Sequence, residues 1–152
     1  MKHTLLFLLM ICACTLQATA TGKQPRLTDD ELMTLVQKQT FRYFWDFAHP
    51  ESGLARERSN DRLEIATIGG SGFGVMAIIV GVERGFITRE QGAERLLKIV
   101  EFLNKADSYH GIWAHWMDGA TGKTIPFSRK DDGADLVESA FMFEGLLAAH
   151  QY

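Results

Sequence analysis

The sequence has almost no cysteine and little proline: two Cys, at positions 12 and 14, and three Pro in 152 residues. Both cysteines fall in the first twenty residues, so the remainder has no disulfide to form and must be held by its core alone. No apolar run reaches the roughly 20 residues that a membrane-spanning helix needs. Basic charge is scarce as well. Net charge is −3, and beyond residue 20 there are 15 bases against 19 acids. Without a basic stripe to follow phosphates, nucleic acid is not an expected partner.

At 46% hydrophobic and 23% charged residues the balance is that of a globular protein, neither disordered nor fibrous. Residues 1–20 read as a signal peptide. Lys2 and His3 form a short polar start, Leu5 to Ala13 is apolar, and Ala18-Thr19-Ala20 is a signal-peptidase site that would leave Thr21 first. Ile11-Cys12-Ala13-Cys14 also resembles a bacterial lipobox, which would put a lipid anchor on Cys14. Either reading predicts export, to the periplasm or as a lipoprotein of a bacterial outer membrane. Residues 21–27 form a polar linker.

Helical periodicity dominates the rest. Thr28 and Glu31 form a capping box ahead of Leu32, Leu35, Val36, Gln39, Tyr43 and Phe47, and Pro50 and Gly53 stop this helix near His49. Leu63 to Ile68 reads as extended. Residues 69–74 (GGSGFG) then open a helix from Val75 to about Arg84 that is apolar on nearly all sides and is expected to be buried all round, with Gly85 closing it. Thr88 and Gln91 cap the next helix, whose inner stripe is Ala93, Leu96, Leu97, Val100 and Leu103. Ile112 to Trp116 alternates as a strand and, with turns at Asp118-Gly119 and Thr121-Gly122, predicts one small hairpin. A last helix starts near Gly133 and runs to the end without a stop signal. The sequence is therefore expected to be the N-terminal part of a longer fold, truncated within its helical domain.

Three groups of residues could carry chemistry. Gly72-Phe73-Gly74-Val75-Met76-Ala77 fits a dinucleotide fingerprint in letters only, because another helix follows where a Rossmann unit needs a strand. No cofactor is expected. Those glycines either let a buried helix start close to its neighbours or leave free N–H groups facing a bound sugar or carboxylate. Asp131, Asp135 and Glu138 are spaced to share one helix face, and carboxylates so close compete for a proton, as a general acid requires. Capping is the other explanation for acids at a helix start, one that fits Glu138 least if it lies past the first turn. Trp113, His115 and Trp116 precede them. They either stack on sugar rings or simply bury inward. Arg56 and Arg58 either meet substrate or solvate a loop. His110 and His115 lack zinc spacing, so no metal is expected.

Ser52-Gly53-Leu54 with Arg56 and Arg58, the run Ala66 to Gly74, Gly81-Val82-Glu83-Arg84-Gly85, His115-Trp116, Thr121 to Thr124 and Asp131 to Glu138 together resemble glycoside hydrolase family 144, the glucoamylase-like bacterial proteins. The resemblance runs from about Leu32 onward. It implies that residues 28–152 are part of an all-α (α/α)6 toroid with a small β-hairpin insertion. It also implies hydrolysis of β-1,2-glucan, as an inverting endo-β-1,2-glucanase, with an oligo- or polysaccharide as partner. By the same resemblance Glu138, Asp135 and Asp131 line the catalytic cleft. Trp113, His115, Trp116, Arg58 and Phe73 are the candidate substrate-binding residues beside them. A non-catalytic glycan-binding or helical scaffold is the alternative. Inversion needs carboxylates about 6.5–9.5 Å apart, more than adjacent helical turns provide, so one of the pair is expected beyond Tyr152.

Overall fold

The computed structural model describes residues 26–60 and 62–152. The leader, the lipobox at Cys14 and residues 21–25 of the linker lie outside the described residues. The chain divides into two compact units, Met1–Met33 and Thr34–Tyr152. Among the described residues no helix is long and apolar enough to cross a membrane.

Helix α1 (Asp29–Trp45) starts at the expected capping box: Glu31 N–H donates to Thr28 Oγ1 (3.3 Å) and Thr28 N–H to Glu31 Oε2 (2.8 Å). It ends four residues before His49, because residues 49–54 form their own turn. There Gly53 N–H donates to the His49 carbonyl and His49 N–H to that of Leu54, with Gly53 at φ +75°. The C-terminal aromatics of α1 are what bury it. Phe41 stacks on Trp45 and packs on Phe86 (5.7 Å each), whereas Leu35 and Val36 are exposed.

Strand β1 (Ile65–Thr67) leads directly into α2 (Ile68–Glu83), so the glycine cluster lies inside the helix instead of preceding it. Gly85, at φ +67°, closes α2. Its N–H reaches the Val82 carbonyl and Phe86 N–H reaches that of Gly81, a paired C-terminal lock. The Thr88–Gln91 capping box then opens α3 (Arg89–Leu103) as expected. Its buried line is Gly92, Ile99 and Leu103, and Leu97 and Val100 face outward.

The predicted hairpin resolves into two small sheets. Strand β2 (Ser108–Tyr109) pairs with β3 (Ile112–Trp113), while β4 (Trp116–Asp118) lies between β1 and β5 (Thr124–Ile125), all antiparallel. The alternation breaks at Ala114, which bridges to Ala134 instead of continuing the strand. Asp118 Oδ1 accepts from Ala120 N–H, Thr121 N–H and the Thr121 hydroxyl at the β4–β5 turn; these bonds, Thr121's N–H foremost, hold its carboxyl below the ordinary aspartate range.

Helix α4 (Leu136–Gln151) begins three residues later than expected, because Asp135 is its N-cap. It packs on α2 at very close range. A Cβ on Gly145 would lie 2.5 Å from the Gly72 carbonyl oxygen, and one on Gly72 would fall inside the Phe141 carbonyl. Leu54, Ile68, Val75, Ile78, Ile99, Met117 and Met142 fill the core beside this crossing, each contributing about 1.5–3 kcal/mol by leaving water. Helix α2 is not buried all round, however. Phe73, Met76 and Val80 on α2, with Phe141 and Leu147 on α4, remain exposed.

Alanine at Gly72 should therefore destabilise the full-length protein by at least about 2 kcal/mol in urea unfolding, since the obstructing atoms are backbone and cannot rotate away. A cost within error of zero would mean that the helices can move apart freely.

Candidate functional site

The N-termini of α2 and α4 meet at one carboxylate. Thr67, the N-cap of α2, makes no side-chain cap of its own. Glu138 supplies it from α4: Oε2 accepts the Gly69 N–H (2.8 Å), and the Thr67 hydroxyl stands 3.4 Å away. The carboxylate lies against Gly69, where a Cβ would come 2.5 Å from Oε2. Of the two readings of the glycines, close approach is observed at Gly69 and Gly72, while the Gly69 N–H is taken by the protein's own Glu138 carboxylate and is not free for a bound one.

Glu138 is in the first turn of α4, not beyond it, and Asp131 precedes the helix. The three acids therefore do not share a helix face as expected. Asp135 Oδ1 caps α4 by accepting from Val137 N–H (2.9 Å) and Glu138 N–H (3.0 Å). Its other oxygen, Oδ2, stands 3.4 Å from His115 Nδ1, and Glu138 Oε1 stands 3.9 Å from His115 Nε2. Both are ion-pair distances, with the latter too long for a hydrogen bond. Each acid thus spends one oxygen on a helix start and turns the other toward the imidazole. All three side chains are about one-fifth exposed, so the group opens to solvent on one side.

Backbone pairing brings His115 here. Ile68 N–H donates to the His115 carbonyl (3.1 Å) and Asp135 N–H to that of Trp113 (2.8 Å). Buried Ser139 closes the clasp, its Oγ accepting from Trp113 N–H (3.0 Å) and donating to the Trp113 carbonyl (3.2 Å). Asp131 joins through the loop before α4. His115, Asp131 and Asp135 each offer one ligand atom, all within 4.8 Å of one another, a spacing that would admit a cation. Both imidazole nitrogens, however, already face the carboxylates of Asp135 and Glu138.

The other substrate-binding candidates lie differently. Burial alone explains Trp116, and the half-buried Trp113 indole packs on Phe143 with its N–H toward the Leu103 carbonyl (3.4 Å). Arg58 is exposed and pairs with neighbouring Glu57, and Phe73 packs on Phe141 at 5.2 Å. Arg56 serves the fold, its guanidinium over Phe47 and its Nε donating to the Phe47 carbonyl. Sequence reasoning missed Thr67, Ser139 and Phe127. The last stacks on His115 at 4.3 Å and 23°. Only Thr67 carried a local signal, as a cap-type residue before a helix.

No family model matches the chain. Over 127 residues, 83% of this chain, it is 55% identical to the exo β-1,2-glucooligosaccharide sophorohydrolase (non-reducing end) of Parabacteroides distasonis, covering 18% of that protein. A solved glucoamylase-like protein of Bacteroides uniformis is 83% identical, with TM-score 0.83 over 85% of this chain and 32% of its own. The endo-β-1,2-glucanase of Chitinophaga pinensis, solved with sophorotriose and glucose, is 54% identical, with TM-score 0.80 over 84% of this chain and 32% of its own. The chain thus spans about a fifth of the curated relative and a third of these solved ones. Over the matched stretch they share one fold.

Alanine at Gly69 should push the Glu138 carboxylate off the α2 N-terminus; losing that charged hydrogen bond costs about 1.5–3 kcal/mol, offset by about 1 kcal/mol of better helix propensity, for a net cost of about 1 kcal/mol. A flexible carboxylate can swing aside where the backbone at Gly72 cannot, so urea unfolding should rank this substitution below alanine at Gly72; the reverse order would contradict the account.

Proposed function

We propose that this chain, which belongs to the glucoamylase-like family, forms one wall of the active site of a β-1,2-glucan hydrolase. The observation that carries the reading is His115 held between Asp135 and Glu138 in a group open to solvent on one side. Glycosidic cleavage needs one group to protonate the leaving oxygen and another to activate water. Asp135, Glu138 and Asp131 are the acids for this work. His115 turns one ring nitrogen toward each of two of these carboxylates, placing a group that can donate or accept a proton beside Asp135.

Oxygens of Asp131 and Asp135 come within 4.8 Å, closer than the about 6.5–9.5 Å that an inverting pair needs to admit water. In an inverting, endo-acting enzyme the opposing carboxylate is then supplied by residues outside this chain. Export through the leader, with or without a lipid on Cys14, would bring such an enzyme to its polysaccharide. A second reading has support of its own: Asp135 Oδ1 and Glu138 Oε2 are fully used as helix caps, as in a non-catalytic glycan-binding scaffold.

Amide substitutions separate the two readings, because an amide oxygen still caps a helix while it cannot exchange a proton. In the full-length protein, Asp135→Asn and Glu138→Gln should each retain folding and glucan binding and lower reducing-end release from β-1,2-glucan by at least about 10²-fold. Unchanged hydrolysis would favour the scaffold. The 152-residue chain by itself should release no reducing ends, and release by the purified chain would overturn the requirement for an outside carboxylate.

A further inference from the structure

We propose that Phe127 is the residue on which a glucosyl ring stacks in this site, the role that residue type alone would give to a tryptophan. The inference rests on the glycan reading above. A sugar platform needs an aromatic ring that is both accessible and fixed, because pyranose C–H groups stack on a flat apolar face. Trp116 is only 8% exposed, and the half-buried Trp113 indole packs on Phe143 with its N–H toward the Leu103 carbonyl. Phe127 is 46% exposed, although it lies beside the acids. It covers one face of His115 and meets Trp116 at 4.7 Å, so its ring is braced on the protein side and open on the other.

The loop that carries Phe127 is itself tied to the acids. Phe127 N–H donates to the Asp131 carbonyl (2.8 Å), and Ser128 and Asp131 exchange backbone hydrogen bonds (3.1 Å each). A ring stacked on Phe127 would therefore lie next to His115 and Asp131, within the same small group of residues. An exposed phenylalanine held this way has no packing role on its open side. The ligand class that fits is a neutral pyranose, which offers a C–H face to the ring and hydroxyls to Asp131 and Asp135.

The test uses the full-length protein with Phe127→Leu and Phe127→Trp, followed by calorimetric titration with sophorotriose and by hydrolysis of β-1,2-glucan. Leucine keeps an apolar cover on His115 but has no flat face, so it should weaken sophorotriose binding and raise KM by about three- to tenfold, with kcat within about twofold. Tryptophan should retain the wild-type affinity. If Phe127→Leu lowers kcat but leaves affinity and KM unchanged, the ring only supports His115 and the proposal falls. If the wild type binds sophorotriose but hydrolyses no glucan, the hydrolase reading fails while the affinity comparison still decides the role of Phe127. If the wild type binds no sophorotriose, the proposal falls with it.

Discussion

The crossing of α2 and α4 at Gly72 and Gly145 is the constraint on which the rest depends. Two helices whose backbones touch cannot tilt or slide without collision, so the contact fixes their relative height as well as their separation. That height brings the first turn of α4 level with the first turn of α2 and sets Glu138 against Gly69. Core side chains around the crossing add free energy. Register comes from the glycines.

The acidic group shows why capping and chemistry are poor alternatives to set against each other. A carboxylate has two oxygens. Asp135 and Glu138 each commit one to backbone N–H groups, which fixes the side chain, and direct the other at His115. Helix N-termini favour the negative charge and hold it in place, so one side chain both starts a helix and faces the imidazole. Ser139 steadies the segment that carries His115, its hydroxyl bonding both the N–H and the carbonyl of Trp113.

Features set by neighbours in sequence were legible before the structure. The capping boxes at Thr28 and Thr88, the lock at Gly85 and the extended residues before α2 follow from local hydrogen bonding and backbone geometry. Misreadings arose where a distant partner decides. Asp135 reads equally well as helix or cap until Val137 and Glu138 are seen donating to it. Trp116 has the residue type of a sugar platform, and only packing reveals that it is buried. Phe127 had no signal at all, since its importance comes from stacking on a histidine twelve residues earlier.

The uncovered sides of α2 and α4 bear on how this polypeptide behaves in a test tube. Phe73, Met76, Phe141 and Leu147 give it a greasy flank in contact with water, in a chain with no disulfide among residues 21–152 to limit its opening. Molecules of these residues alone would find one another through that flank as concentration rises. Their colloidal behaviour would then be governed by dilution and detergent before any question of sugar binding arises.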